Sequence, residues 1–261
     1  MTSSQKIIKS LAIAFAVFII VGAIYLAFII ISRFSNVVVR NEDIKYNTYE
    51  LYDVTNLNID LSYTSLNIKE SDTFKLELNN YSEYNITNNT LYIKDIKKIK
   101  INTQGGLYAT LYVPYGKVFD NVNIDSGAGI VKIDTLKSNN LDFNIGAGKV
   151  NINNLEVLNR TDIDGGAGNF EILNGKLANT KFDMGVGNVS IDAIFTGTNI
   201  IDTGVGNVSI RLLDNISNYK FNVEKGIGNI SIDGENKKNG VYGEGYTWMK
   251  IDGGIGNISI R

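Results

Sequence analysis

The hydrophobic positions of residues 121–261 alternate with a period of two residues, and the alternation changes phase at regular places. In one repeat, Phe182 and Val186 occupy even-numbered positions, whereas Val189 and Ile191 occupy odd-numbered ones. Because successive side chains of a β-strand point to opposite faces, such a change of phase marks one extra residue at a bend. The pattern therefore predicts strand, corner and strand, with the apolar face kept inward on both sides of the corner.

Each change of phase coincides with a Gly-x-Gly sequence, and these sequences follow one another at intervals of 19, 20, 19, 19, 22 and 28 residues. The glycine pairs are Gly127 and Gly129, Gly146 and Gly148, Gly166 and Gly168, Gly185 and Gly187, Gly204 and Gly206, Gly226 and Gly228, and Gly254 and Gly256. Glycine suits a corner because it tolerates positive φ and the close approach of another backbone. We therefore predict an all-β fold, a single parallel β-solenoid of about 20-residue rungs with Gly-x-Gly corners. The general preference for right-handed crossovers makes a right-handed solenoid the expectation.

Three sets of equivalent positions support stacking in register. The residues three before each first glycine are apolar and are expected to point inward: Ile124, Phe143, Ile163, Phe182, Ile201, Val223 and Ile251. The residues between the two glycines are also expected to point inward: Ala128, Ala147, Ala167, Val186, Val205, Ile227 and Ile255. In five repeats an asparagine follows the second glycine and is expected to join a hydrogen-bonded side-chain ladder: Asn169, Asn188, Asn207, Asn229 and Asn257.

The longest insertion between repeats carries Tyr242, Tyr246 and Trp248. These aromatic side chains are candidates for binding sugar or protein. The alternative, which we favour, is that residues 235–247 cap the last rung, because solenoids need a capped end to stay soluble. The sequence finishes at GNISIR, inside a predicted strand, so the final edge of the stack is expected there and needs protection.

Residues 11–31 form a run of uncharged, mostly apolar residues, and about 20 such residues span a bilayer as a helix. The run is longer than the apolar part of a cleaved signal peptide and lacks a small-x-small site at its end, so an uncleaved anchor is predicted. The positive charges on the two sides of the run are balanced. A short amino-terminal tail with Lys6 and Lys9, followed by a long globular part, favours an inside amino terminus and an outside solenoid. The predicted organisation is a cytoplasmic tail at 1–10, a transmembrane helix at 11–32, a linker at 33–48 and the solenoid at 49–261, with degenerate rungs at 49–120 and regular rungs at 121–261.

Composition narrows the chemistry available to the 261-residue chain. It contains no cysteine and no histidine, which excludes disulfides, zinc–thiolate sites, thiol nucleophiles and a histidine general base. Its net charge of −2 gives no reason to expect a nucleic-acid partner. No helical period and no Lys-Ser/Thr follow the glycines, so they do not form a phosphate-binding loop. We predict no cofactor, no metal ligands and no catalytic residues.

The order of motifs resembles the bacterial "toast-rack" or "putative adhesin" family of β-solenoid proteins. The resemblance is carried by VPYGKVFDNVNIDSGAGIVKIDTL at 113–136, NIGAGKVNINNL at 144–155, TDIDGGAGNFEIL at 161–173 and DTGVGNVSIRL at 202–212. LNIDLSYTSLNIKE at 57–70 and NNTLYIKDI at 88–96 are similar to that family's degenerate leading rungs. The resemblance implies the solenoid fold and a surface or membrane-associated protein, some relatives being similar to components encoded beside envelope-stress systems. It supplies no functional residues.

An acidic set lies two residues before the first glycines and is expected to face outward. Its members are Asp125, Asp164, Asp183, Asp202, Glu224 and Asp252, with Asn144 in the remaining repeat. Stacked about 4.8 Å apart, adjacent charges repel by about 0.9 kcal/mol even in bulk water. Hydrogen bonds from corner amides are the favoured compensation. The alternative is a divalent cation or a basic polymer bound along the ladder.

The sequence predicts a non-catalytic, membrane-anchored and extracytoplasmic interaction or scaffold module of a bacterial cell envelope, adhesin-like in character. Its expected partners are the membrane and either an envelope polymer or a membrane protein. An envelope-stress sensor or regulator that acts through a membrane protein is the alternative. A carbohydrate-active enzyme is disfavoured, because the charged positions repeat with the rungs and form no unique combination of acid and base.

Overall fold

The computed structural model describes residues 38–39, 44–96, 100–101 and 106–261. Its strands are β1 Val38–Val39, β2 Tyr46–Glu50, β3 Asn56–Leu61, β4 Ser65–Ser71, β5 Lys75–Asn79, β6 Ser82–Thr87, β7 Thr90–Asp95, β8 Lys100–Ile101, β9 Tyr108–Pro114, β10 Phe119–Ala178, β11 Thr180–Thr196, β12 Thr198–Leu212, β13 Tyr219–Ile227, β14 Ile230–Ile232, β15 Glu235–Lys237, β16 Gly240–Tyr242, β17 Thr247–Ile255 and β18 Ile258–Ile260. A short 3-10 turn occupies Ile216–Asn218. Strands β1 and β8 pair in parallel, and the other strands form one continuous sheet.

The predicted transmembrane helix at 11–32 lies outside the described residues, as does most of the predicted linker. Within the part of the chain that the structure describes, no helix has the length and apolar character needed to cross a membrane.

The long strands are successive turns of a parallel solenoid. Each turn lies beside the next in register, so that Ile163 is opposite Phe182 and Phe182 is opposite Ile201. In this middle region a residue therefore pairs with the one 19 positions later. Strand β10 runs through three Gly-x-Gly corners as one strand of 60 residues. The parallel solenoid predicted from the repeat is confirmed in the described residues.

The column three residues before each first glycine fills the interior, as predicted. Every member from Ile124 to Val223 and Ile251 is fully buried. Phenylalanine rings from different turns meet edge to face, with centroids 6.1 Å apart for Phe143 and Phe170 and 5.4 Å apart for Phe170 and Phe182. Such contacts, together with the burial of aromatic surface, tie neighbouring turns to one another.

The turns at the far end, formed by β12 to β18, are not stacked in the order of the sequence. Strands β17 and β18 pair with β12 on one side and with β13 and β14 on the other. The seventh repeat is thus inserted between the fifth and the sixth. The expectation that the final edge lies at GNISIR is therefore wrong, because Ile258–Ile260 is an interior strand.

The near end, where the described chain begins at Ile44, shows the same exchange. Strand β10 pairs with β3 and β4, although β7 and β9 immediately precede it in the sequence. Strands β7 and β9 lie instead on the outer side of β3 and β4. The turn made by β7 and β9 is therefore outermost at this end, as the turn made by β13 and β14 is at the far end.

Antiparallel strands cover both ends of the stack. At the near end β6 pairs with β7, β5 with β9, and β2 with β5. At the far end β15 pairs with β14 and β16 with β13. Both far-end strands come from the insertion that was interpreted as a cap. It does cover an outermost turn, but that turn ends at Ile232 and is not the last in the sequence.

Candidate functional site

The predicted acidic residues form one column along the outside of the solenoid, which we call the acidic column. Parallel register places its members next to one another in the order Asp60 and Asp125, then Asp164, Asp183, Asp202, Asp252 and Glu224. All of these side chains after Asp60 are exposed or half-buried, which agrees with the predicted outward direction. Sequence reasoning missed Asp60, because its turn has no Gly-x-Gly corner. The signal was the tetrapeptide LNID at 57–60, which is echoed by VNID at 122–125.

Basic side chains compensate only some members of the acidic column. Lys181 Nζ lies 3.6 Å from Asp164 Oδ1, and Lys250 Nζ lies 2.8 Å from Asp252 Oδ2 and 3.6 Å from Glu224 Oε1. Among the described residues, no ion pair reaches Asp125, Asp183 or Asp202. These carboxylates keep their mutual repulsion, which an approaching cation would relieve.

Asp202 shows the effect of this crowding on proton affinity. Partial burial raises the pKa of its carboxyl, and the charges of Asp183 and Asp252 raise it further, against the opposing effects of Lys250 and the Thr203 amide. The predicted compensation by corner amides is not general, because no described hydrogen bond joins the carboxylates of Asp125, Asp164 or Asp183 to such an amide. The column is therefore electrostatically unfavourable over its central part.

The corner glycines stack directly on one another from turn to turn. A Cβ atom on Gly187 would lie 1.8 Å from the carbonyl oxygen of Gly168, and one on Gly185 would lie 2.7 Å from that of Gly166. Gly187 also has a φ of +153°, which side chains disfavour. The stacked glycines of the middle turns are consequently strips of bare backbone, with no room for a side chain at the glycine positions.

The residue between the two glycines points outward, so the prediction of an inward column is wrong. Inward alternation stops at Met184 and resumes at Val189, which leaves residues 185–188 to form the convex side of the bend. In spatial order this corner ridge consists of Ala128, Ala147, Ala167, Val186, Val205, Ile255 and Ile227, and each member is half-buried or exposed. The ridge thus grows from alanine to isoleucine toward the far end.

The predicted side-chain ladder beyond the second glycines is confirmed for Asn169, Asn188 and Asn207. Asn188 donates to Asn169 Oδ1 at 3.4 Å and Asn207 donates to Asn188 Oδ1 at 3.5 Å. Farther along the stack, side-chain oxygens accept from backbone amides, with Asn257 N 3.2 Å from Asn207 Oδ1 and Asn229 N 3.1 Å from Asn257 Oδ1. Hydrogen bonds thus connect each asparagine of this column to the next, which gives the ladder a structural role.

A shallow groove of about 610 Å³ runs beside the acidic column from Asp60 to Asp183, floored by Gly127, Gly146 and Gly166. It is elongated, anionic and open. Within 44–96 and 106–261, no three acidic side chains approach closely enough to hold one metal ion together. The groove suits a row of cationic groups better than a single coordinated ion.

Of the aromatic candidates of the insertion, Tyr242 and Tyr246 lie in the far-end cap, whereas Trp248 belongs to the interior strand β17. Tyr242 hydroxyl donates to the Lys238 carbonyl oxygen at 3.0 Å and accepts from the Lys238 amide at 3.2 Å. Trp248 is half-buried, with Lys220 Nζ 6.0 Å from its ring centroid. Only Tyr246, 82% exposed, presents its ring freely to solvent. The three rings therefore do not form one aromatic binding face.

Comparison with known proteins agrees with the fold. The Toastrack DUF4097 family model matches residues 90–261, which confirms the resemblance seen in the sequence. A comparison with curated proteins gives no match.

Three solved crystal structures are similar. A "putative cell adhesion protein" from Clostridium sporogenes is 17% identical, with 83% of this chain and 98% of that chain covered and a TM-score of 0.41. A "putative adhesin" from Bacteroides fragilis is 11% identical, with coverages of 85% and 100% and a TM-score of 0.42. A "putative lipid binding protein" from Parabacteroides distasonis is 14% identical, with coverages of 86% and 100% and a TM-score of 0.32. The assignment of a family rests on the family model.

Proposed function

Because the chain belongs to the Toastrack DUF4097 family, whose model matches residues 90–261, we propose a function built on binding without a catalytic step. The protein is a membrane-anchored interaction or scaffold module of a bacterial cell envelope. The predicted helix at 11–32 anchors it, and the solenoid lies outside the membrane. Its ligand is an envelope polymer that carries basic groups, bound along the acidic column.

The observation that carries this proposal is the repetition of one chemistry along the stack. The acidic column, the bare glycine strip and the corner ridge run side by side, and each repeats at about 4.8 Å, the spacing of neighbouring strands. An enzyme needs a unique acid, base and stabilising group at one place. A repeated surface suits a repeated ligand. Once the first contact has oriented the ligand, each further contact loses little additional orientational entropy.

Charge supports a basic ligand. Asp125, Asp183 and Asp202 have no basic partner within ion-pair distance among the described residues, and the raised pKa of Asp202 reflects repulsion from its neighbours. A row of cationic groups at the spacing of the turns would remove that repulsion. Bare glycine backbone beside the column lets such a ligand approach without steric hindrance.

The test is a sedimentation assay with the solenoid, residues 34–261, and purified envelope material: peptidoglycan, teichoic acid and lipid vesicles, each with and without Ca²⁺. We expect saturable binding to one polymer fraction. The triple variant Asp164→Asn, Asp183→Asn and Asp202→Asn is expected to reduce it at least about tenfold, since several charge-assisted contacts are lost together.

A matched control changes the same net charge elsewhere. Asp72, Asp134 and Asp233 are exposed and lie outside the acidic column, so their replacement by asparagine is expected to leave binding unchanged. If both triple variants lose binding equally, binding depends on overall charge alone, which would contradict the proposed site. Absence of binding to every fraction would contradict the polymer ligand and favour the alternative of a membrane protein partner in envelope-stress regulation.

A further inference from the structure

We infer that exposed tyrosines at the near end of the solenoid contact the headgroup region of the bilayer. The inference rests on the proposed membrane anchor and adds a surface by which the solenoid is oriented. The surface, which we call the tyrosine girdle, consists of Tyr46, Tyr52, Tyr92, Tyr108 and Tyr115, all of which are exposed.

Tyrosines are concentrated at this end. Ten of the 14 tyrosines of the chain lie between Tyr46 and Tyr115, and none lies in 116–218. At the far end Tyr219 is buried and Tyr242 is held in the cap, which leaves Tyr246 as the exposed one. The aromatic surface is therefore a property of one end and not of the solenoid as a whole.

The girdle belongs to the outermost turn of the near end, made by β7 and β9, and to the covering strand β2. Tyr46 lies opposite Asn79, and the Asn79 side chain donates to the Tyr108 carbonyl oxygen at 3.1 Å, which places Tyr46 and Tyr108 at the same ends of β2 and β9. Tyr52 and Tyr115 follow the other ends of these two strands, and both are mostly exposed, at 72% and 65%. Tyr92 extends the girdle onto β7.

The length of the tether limits how far each end of the stack can lie from the membrane. Residues 33–43 connect the predicted helix to the first described residue of the stack, and 11 residues span at most about 40 Å when fully extended. The far end lies about another 40 Å away, since eight strand spacings of about 4.8 Å separate the outermost turns. The near end therefore always lies within about 40 Å of the helix, whereas the far end can lie up to about 80 Å from it. Tyrosine is enriched at the membrane–water interface, where its ring contacts lipid and its hydroxyl stays hydrated.

The charges of the near end favour contact through aromatic rings over attraction to anionic lipid. By sequence, residues 44–118 carry eight acidic and eight basic side chains, so this end has no net positive charge. One of the lysines, Lys94, is already paired with Glu83 at 3.1 Å. The contact is therefore expected to persist in high salt and on zwitterionic lipid, because screening weakens only charge attraction.

The experiment is hydroxyl-radical footprinting of the full-length protein in phosphatidylcholine nanodiscs, read by mass spectrometry at each tyrosine. The reference is the same protein after cleavage at a protease site placed in 33–43, which releases the solenoid from the disc. We expect the girdle tyrosines to react at least about threefold more slowly in the disc, in low and in high salt, as interfacial burial requires. Tyr246 at the far end is the internal control and is expected to react equally in both forms.

A second variant separates lipid contact from simple shielding by the disc. Tyr46→Ser with Tyr108→Ser replaces two exposed rings, and we expect the remaining girdle tyrosines to become more reactive because the solenoid tilts away. Unchanged reactivity in this variant, or equal rates in disc and released forms, would overturn the inference while leaving the anchor in place. Failure of the intact chain to copurify with discs would overturn the anchor itself and the inference with it.

Discussion

The middle of the stack and its two ends follow different rules of connection. In the middle each turn pairs with the next turn of the sequence, whereas at both ends two turns are exchanged. The outermost turn at each end carries its own hairpin: β6–β7 closes through Asn88 and Asn89, and β14–β15 closes through Asp233 and Gly234. These four residues have positive φ, as a two-residue hairpin turn requires.

The exchange follows from where these hairpins lie. Once β15 has paired with β14, that edge is occupied and no further turn can be added there. The next turn must then enter on the inner side, between β12 and β14, and β18 does so. The difference teaches that a local hairpin can determine which turn of a solenoid is terminal.

The strongest test of this comparison is deletion of residues 247–261, which removes an interior turn. We expect the backbone amides of 198–212 to lose hydrogen-exchange protection at least about a hundredfold, because both of their far-side neighbours are gone. The matched deletion, 219–246, removes the outermost turn and joins Asn218 to Thr247, which lies beside Tyr219 in the structure. It is expected to preserve that protection. The opposite ranking would mean that the turns stack in sequence order.

The second test concerns the glycine corners of the middle. Gly187→Ala is expected to lower the free energy of unfolding by about 3–5 kcal/mol, since a Cβ would overlap the Gly168 carbonyl at an unfavourable φ. Gly129→Ala is the control, because its Cβ would meet nothing closer than 3.5 Å and its φ is ordinary. Its effect should stay below about 1 kcal/mol. Urea unfolding midpoints measure both, and equal midpoints would contradict the close stacking of the middle corners.

The third test concerns the far end, where Tyr219 is buried. Its hydroxyl donates to Asp214 Oδ1 at 2.6 Å and accepts from the Phe195 amide at 3.1 Å. Tyr219→Phe should cost about 1–3 kcal/mol by leaving the amide of Phe195 without a partner. Tyr246→Phe is a suitable control, because that side chain is exposed. If only the backbone amides of 193–232 lose hydrogen-exchange protection in Tyr219→Phe, the far end unfolds separately from the middle.

The smallest expected effect is electrostatic and reports on the exchanged order. Folding raises the pKa of Asp202, so this carboxylate opposes folding at neutral pH. The opposition fades as the pH falls through the raised pKa and is absent below the ordinary value of 3.8. Asp202→Asn should therefore slightly raise the urea midpoint at neutral pH and have no such benefit in acid.

A nuclear magnetic resonance titration of Asp202 identifies its neighbour. Asp252→Asn is expected to lower the pKa of Asp202 more than Glu224→Gln does, because Asp252 lies directly opposite and Glu224 one strand farther on. The reverse result would place the sixth repeat beside the fifth.

The sequence was sufficient to predict the solenoid, its inward column and the asparagine ladder, because these depend on a period of two within each turn. Alternation alone could not determine the order of the end turns, because Ile251 and Val223 occupy equivalent positions in their repeats and either could lie next to Ile201. Asp233-Gly234 was the available signal, as such a pair predicts a tight hairpin. The prediction that the corner ridge points inward was wrong, because Ala, Val and Ile are acceptable on either side of a bend. The alternation does not show whether the side chains of a four-residue corner point inward or outward.

The exchange at the far end also sets a condition on synthesis. Residues 219–237 leave the ribosome before 247–260, and hairpins form within microseconds. The edge of β12 therefore stays unpaired until β17 and β18, which follow the insertion in the sequence, have been synthesised. A chain interrupted anywhere between 238 and 260 carries an exposed edge in the middle of its stack, open to pairing with another chain. Only a chain that contains 247–260 can place strands between β12 and the pair β13 and β14, and a shorter chain leaves that position empty.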